Sequence, residues 1–278
     1  MRRILLSIIF LMAAGLFFWL SFAQRAQSPA CRIITQLPPI KLTPKPAETT
    51  ITIPLTAQIP EEAPVPQAPE FLGEKIGYDV RFKGLSIGKA YFSYEAVTKL
   101  NGKPALLMTM TTKLARFYDK ETIYGDPATF LPMRVERSIV NLLSKEKITE
   151  QYDQEKFKVS ITKHKGGKTQ TLEYQKDAPV QNPILLPHHV RQKADLAVGS
   201  RFTVVLPTRT FEIALSNIEN VTTPAGTFKA YHFQSCPPQI EIWMTADARK
   251  IPVKLRGTGV LGYVMVMEKY HEANKQGR

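Results

Sequence analysis

Cysteine is scarce in this chain. Two residues among 278, Cys31 and Cys236, cannot staple a small disulfide scaffold, and no Cys-x-x-Cys pair exists for redox chemistry. Acidic residues are also short, at 24 against 37 Lys plus Arg, which leaves a net charge of +13. Beyond residue 23 no apolar run is long enough to span a bilayer, so a multi-span helical membrane protein is excluded. With 44% apolar and 22% charged residues the chain is not a disordered polymer either. A phosphate loop, a dinucleotide fingerprint and a paired-carboxylate pattern are all missing, so the sequence offers no strong enzymatic motif.

What is present begins at the N-terminus. Arg2 and Arg3 precede an uncharged stretch, Ile4 to Ala23, built mostly from Ile, Leu, Phe, Met and Ala. Twenty residues at about 1.5 Å each reach roughly 30 Å, the thickness of a bilayer core, which favours an uncleaved signal-anchor over a signal peptide. Ser21 and Ala23 also fit a cleavage site after Ala23, so residues 1–23 read as a membrane helix or a removed leader. Either way the remainder is exported: an inner-membrane tether with the domain in the periplasm, or a free periplasmic protein. Lipidation at Cys31 fits poorly, because the apolar run ends eight residues earlier.

Residues 24–69 form a spacer. Ten of the 21 prolines lie between Pro29 and Pro69, a density of missing N–H donors that neither helix nor sheet tolerates. Polyproline geometry at about 3.1 Å per residue gives such a segment a reach on the order of 100 Å. The folded domain is expected at 70–270, with a polar tail at 271–278. Residues 1–69 hold six basic and three acidic side chains, so the remaining 31 and 21 leave +10 on the rest.

The periodicity of that domain is two. Lys75 to Lys83 alternates, as do Leu106/Met108/Met110, Phe157/Val159/Ile161, Phe211/Ile213/Leu215, Ile240/Ile242/Met244 and Ile251/Val253/Leu255. Glycine-bearing turns such as Lys83-Gly84 and Asn101-Gly102 separate the runs. The pattern predicts a mainly β fold of about a dozen strands: one large curved antiparallel sheet, open or partly closed like a barrel, with short helices at Thr112–Asp119 and Pro183–Asp195. An internal echo pairs Gly73–Ile76 with Gly199–Phe202 and Ala128–Val135 with Ala248–Leu255, at offsets of 126 and 120 residues, which suggests a duplicated half-sheet.

The Gly73-Glu74-Lys75…Tyr78-Asp79-Val80 opening, the Gly84–Ala90 turn, the Asp126-Pro127…Leu131-Pro132 step, the Thr223–Phe228 turn and the Ile242-Trp243…Asp247…Ile251-Pro252-Val253 segment resemble a family of exported bacterial domains of unknown function. The aromatic strand, Asp turn and Leu/Ile-Pro step before a basic strand are more distantly similar to the periplasmic lipoprotein-carrier superfamily, whose open half-barrels hold acyl chains. The resemblance implies an envelope domain, and it supplies no catalytic residues.

Four features of the sequence bear on chemistry. Gly84-Leu85-Ser86-Ile87-Gly88 fits the nucleophile-elbow pattern, but that motif requires a strand turning into a helix, and Lys89–Val97 reads as a strand. His188-His189 offers two imidazoles, yet neighbours diverge on either a helix or a strand, so a surface or partly buried pair is expected and no metal or cofactor. Cys31 and Cys236 have the option of pairing in an oxidising compartment. Lys145, Lys147, Lys156, Lys158, Lys163, Lys165 and Lys168 gather on successive strands as a basic face. Export directs that face to anionic lipid or polysaccharide rather than to nucleic acid.

The expected function is non-enzymatic: a tethered periplasmic domain holding a lipid-like or hydrophobic ligand in a groove lined by Phe82, Phe92, Met108, Met110, Trp243 and Met265. The alternative is an adaptor that uses the basic face to hold an envelope protein or polysaccharide.

Overall fold

The computed structural model describes residues 71–193, 195–257 and 262–273. The membrane segment, the Pro-rich spacer, Cys31 and the polar tail beyond residue 273 lie outside them. Among the described residues no helix is long and apolar enough to cross a membrane.

Fourteen strands form a single antiparallel sheet. Its first run is β1 (Lys75–Phe82), β2 (Leu85–Leu100), β3 (Lys103–Leu114), β4 (Phe117–Gly125), β5 (Pro132–Val140), β6 (Lys145–Asp153), β7 (Lys158–Lys165) and β8 (Lys168–Gln175). One helical turn and a half, α1 (Leu186–Arg191), then leads to β9 (Arg201–Val205), β10 (Thr210–Thr223), β11 (Gly226–Cys236), β12 (Ile240–Thr245), β13 (Pro252–Gly257) and β14 (Tyr263–His271). The spatial order runs β8 to β1, then β14 back to β9, so the first and last strands pair at the centre and the ends stay apart. Meanders of sequential hairpins need only short turns, which is why this topology follows from glycine-punctuated alternation.

Lys83 and Gly84, at φ of 49° and 84°, make the two-residue turn that pairs Phe82 with Leu85. Gly88 has a different duty, since a Cβ there would lie 2.1 Å from the Lys113 carbonyl of β3. The helix expected at Thr112–Asp119 is instead the end of β3, a turn at Ala115-Arg116 and the start of β4. Leu114 faces Phe117 across it, and the β-branched threonines upstream suit a strand. The second expected helix exists but is shorter, because Pro187 starts it and no side chain caps it.

Two apolar clusters form. One gathers Ile76, Tyr78, Phe92, Tyr94, Met108, Ile123, Val135 and Val159 with Leu185. The other gathers Val204, Phe211, Ile213, Leu215, Phe233, Ile242 and Met244 with Leu186 and Val190. Successive residues of α1 and its cap thus enter different cores, and the helix sits between them.

The echo in the sequence has a structural counterpart. Asp126 accepts hydrogen bonds from the Ala128 and Thr129 amides at 3.0 and 2.8 Å, Phe130 turns at φ 57°, and Leu131-Pro132 leads into β5. Asp247 accepts from the Arg249 and Lys250 amides at 3.1 and 3.2 Å, Lys250 turns at φ 46°, and Ile251-Pro252 leads into β13. The helix segment is held between these matching turns. Gln192 donates to the Ala128 carbonyl at 2.9 Å, Arg191 Nε donates to the Arg249 carbonyl at 2.9 Å, and Lys250 Nζ donates to the Lys193 carbonyl at 2.8 Å.

Beneath the helix lies an ion pair removed from water. Arg191 donates through both terminal nitrogens to Glu74, at 2.6 and 2.9 Å, with both side chains 2% exposed. Tyr270 donates to the same carboxylate at 3.0 Å, and the guanidinium lies 4.0 Å over the Phe71 ring. The start of β1, the helix and the end of β14 are thereby joined at one point.

Candidate functional site

Directly paired residues of an antiparallel sheet share a face, so the registers sort the inner face of the first eight strands row by row. Under the helix the rows are apolar: Phe92 opposite Met110, Tyr94 opposite Met108, Met108 opposite Ile123 and Ile123 opposite Val135. Moving toward the hairpins at the far end, Met110 meets Glu121 and Glu121 meets Arg137, while Thr112 meets Asp119 and Ile139 meets Glu146. The inner face therefore passes from apolar to charged along the strands and turns apolar again at the tip, where Leu114 meets Phe117.

It is also concave. The Tyr263 hydroxyl of β14 feels the charges of Glu121 and Arg137, although β4 and β5 are four and five places from β14 in the sheet order. A curled sheet accounts for that interaction, and it also lets Val159 of β7 share one apolar cluster with Ile76 of β1. Although the Tyr263 residue is 42% exposed, the protein crowded around its hydroxyl, and then the Glu121 charge, raises that hydroxyl above the ordinary tyrosine range.

Arg137 is the hub of the charged rows. It forms a forked pair with Asp119 and lies 3.3 Å from Glu121. Burial outweighs that cation and pushes the Glu121 carboxyl up to about 7. Glu150, one row nearer the helix and opposite Val135, is also raised by burial and accepts a hydrogen bond from Tyr152. Chemically these rows can present both neutral and charged oxygen groups near pH 7 to a polar group of a ligand.

The six groove candidates separate. Phe92 and Met108 are core: His188 of α1 stacks on Phe92 at 3.9 Å, and Leu185 packs in the same cluster as Met108. Met110 is buried at the boundary between the covered and open parts. Phe82 and Met265 are half-buried on the same face, where Val80 pairs with Met265 and Phe82 with Tyr263. Trp243 is buried across the sheet on β12, stacked on His232 at 4.1 Å with Lys254 4.2 Å over its ring. Its indole N–H donates to Glu219 at 2.5 Å, and His232 meets Glu241 at 3.1 Å. Past the helix the inner face continues as Phe82, Phe117 and Met265, which are half-buried, Tyr263, which is exposed, and Leu114, which is buried.

The basic candidates do not make one surface. Lys163, Lys165 and Lys168 share the inner face with Ile148, Glu146 and Gln170, whereas Lys145, Lys147 and Lys158 alternate onto the outer one and Lys156 sits in a turn. Strand alternation divides what the linear sequence groups together. Lys163 and Lys165 pair with Glu146 at 2.7 and 3.2 Å, and Lys158 with Glu173 at 2.9 Å.

Ser86 lies on a hairpin strand and donates to Asp79 at 2.5 Å, in a network with Arg81 and Lys89 on the outer face. His188 is buried rather than partly exposed. It meets the Tyr94 hydroxyl through Nδ1 at 2.6 Å, and burial, with the Arg191 charge second, holds it neutral well below the ordinary histidine range. His189 points elsewhere, to the Thr129 carbonyl at 3.3 Å. Among the described residues no group of three His, Cys, Asp or Glu side chains is placed to hold a metal. Cys236, at the end of β11, is disulfide-bonded.

With this geometry in view, comparison with known proteins gives one decisive match. A family described as a protein of unknown function, DUF3108, matches residues 77–268. The chain belongs to the DUF3108 family. This DUF3108 domain is also similar to a beta-barrel-like DUF1849 protein from Brucella abortus, at 11% identity and a TM-score of 0.48, covering 74% of this chain and 99% of that one. An exported protein, so described, with a YmcC-like fold from Bacteroides fragilis matches at 10% identity and a TM-score of 0.26, over 73% and 98% of the two chains. A protein described as a lipoprotein from Parabacteroides distasonis matches at 10% identity and 0.24, over 73% and 97%. No curated protein matches the sequence.

Proposed function

We propose that this DUF3108 protein is a non-enzymatic cell-envelope domain, tethered to the inner membrane by residues 1–23, that holds a lipid-like amphiphile in the concavity of its sheet. One observation supports the reading above others: the inner face is apolar beneath α1, carries the charged Asp119, Glu121 and Arg137 part-way along β4 and β5, and is apolar again toward the tips at Phe82, Leu114, Phe117 and Met265. An apolar trough with a few polar groups in its wall suits a molecule with an apolar body and a polar head. The helix itself acts as the closed end of the trough, fixed by its contacts with both Asp turns.

The test uses a fluorescent fatty-acid probe whose emission rises on leaving water. Phe117→Glu and Met265→Lys place charge in the open part and are expected to weaken probe binding at least tenfold. Lys99→Glu, on the far side of the β2–β3 turn, is expected to leave it unchanged. Equal probe affinity in all the variants, with circular dichroism showing each folded, would overturn the proposal.

A further inference from the structure

The four hairpin turns β1–β2, β3–β4, β5–β6 and β7–β8 all lie at the end of the sheet away from α1, because each follows a strand running in the same direction. Their composition differs from that of the opposite turns. Phe82–Ser86, Lys113–Tyr118, Val140–Lys145 and His164–Thr169 contain no Asp or Glu. The turns on the helix side contain Asp126, Asp153 and Glu155. An acid-free end is therefore set against an acid-bearing one along the same strands.

Cations and exposed leucines occupy the acid-free tips together. Lys83, Lys113, Arg116, Lys145, Lys165 and Lys168 are all exposed. Among the described residues only Lys165 of these is in an ion pair, with Glu146. Leu85 is 73% exposed, and Leu142 and Leu143 are 50% and 73% exposed. The turn that carries the latter two is fixed by Asn141, whose Oδ1 accepts the Leu143 and Ser144 amides at 2.9 and 2.8 Å. Large side chains directed into water from a rigid turn, among unpaired cations, are costly in isolation and need a partner that is both apolar and anionic.

We propose that these hairpin tips dock on an anionic phospholipid bilayer, with the leucines entering the headgroup boundary and the cations facing lipid phosphates. The inference deepens the proposed function, since the same end of the sheet holds Tyr263, Phe82, Leu114 and Phe117 at the mouth of the trough. Docking there sets the mouth against the membrane, so that an amphiphile passes between bilayer and trough along a path shielded from water. A phospholipid surface fits better than a polysaccharide because the leucines project from the tips, where only a partner with an apolar layer covers them. The attraction per basic residue near an anionic surface is large enough for six to act as a docking signal, and it falls off within a Debye length.

The experiment holds the full chain in zwitterionic nanodiscs and measures its capture by separate vesicles of 30% phosphatidylglycerol in phosphatidylcholine, using flotation. Capture is expected on these vesicles, not on pure phosphatidylcholine, and is expected to disappear in high salt. Lys83→Glu, Lys145→Glu and Lys168→Glu combined should lower capture about 100-fold, and Leu142→Ser with Leu143→Ser at least tenfold. Lys99→Glu, Lys103→Glu and Lys176→Glu impose the same charge change away from the tips and should leave capture intact. Absence of capture, or equal loss in the tip and control sets, overturns the proposal. The trough reading is scored separately by extracting lipid from the same samples: empty protein that is still captured defeats the trough alone, and loaded protein that is not captured defeats the docking alone.

Discussion

Replacing Glu74 with Gln tests the buried pair that holds the helix to the centre of the sheet. The substitution keeps the shape but leaves the Arg191 guanidinium without its counter-charge in a place where both side chains are 2% exposed. Breaking a buried ion pair from one side costs about 3–5 kcal/mol, because the stranded charge has neither water nor a partner. A domain of this size shifts its melting temperature by about 2–4 °C for each kcal/mol, so the fall should be about 6–20 °C. Arg191→Met should cost a comparable amount, since it removes the two bonds to Glu74 and the bond to the Arg249 carbonyl. Glu74→Leu combined with Arg191→Met removes both charges and should recover most of the loss, because apolar replacements of buried pairs are often near neutral. Urea unfolding followed by circular dichroism gives all three values. A Glu74→Gln cost below about 1 kcal/mol, or a double variant no better than the singles, would refute the reasoning.

The buried histidine makes stability depend on pH in a stated direction. His188 is neutral in the fold with its pKa depressed, so the unfolded chain binds more protons below about pH 6.5, and stability falls there by about 1.4 kcal/mol per unit. Unfolding of His188→Gln should lack that slope. Glu121 acts in the opposite sense: with its pKa raised to about 7, its favourable term is complete below the unfolded carboxylate value and is lost as pH rises through 7. The stability of Glu121→Gln relative to the natural chain should therefore improve between pH 5 and pH 8, by up to about 3 kcal/mol. Gly88→Ala forces a Cβ against the Lys113 carbonyl and should cost more than about 2 kcal/mol in the same unfolding assay. Ser86→Ala removes one hydrogen bond to Asp79 and should cost about 1 kcal/mol while leaving probe binding unchanged.

The sheet was legible because alternation and glycine turns act locally. Phe211, Ile213 and Leu215 face one core as their spacing requires, and Lys83-Gly84 makes the expected hairpin. Thr112–Asp119 misled because a two-residue turn between strands, when it contains Ala and Arg instead of Gly or Asn, carries no breaker signal. The duplicated Asp turns were visible as sequence, yet their grip on α1 was not, since Gln192, Arg191 and Lys250 bond to backbone carbonyls distant in the chain. Sequence alone also missed Glu74, Arg191 and Tyr270, which lie up to 196 residues apart. Alternation placed Phe92 and Met108 on the inner face but carried no information about the helix that covers them. The lysines divide because alternate positions on β6 and β7 point to opposite sides, and because Lys156 and Lys158 lie at the other end of those strands from Lys145 and Lys165.

The measurement closest to the central claim is native mass spectrometry of the full chain taken from envelope membranes, followed by solvent extraction of whatever it carries. One amphiphile per chain is expected, lost from Phe117→Glu and Met265→Lys and retained in Lys99→Glu. A folded chain that carries nothing, and remains empty after incubation with envelope lipids, would contradict it.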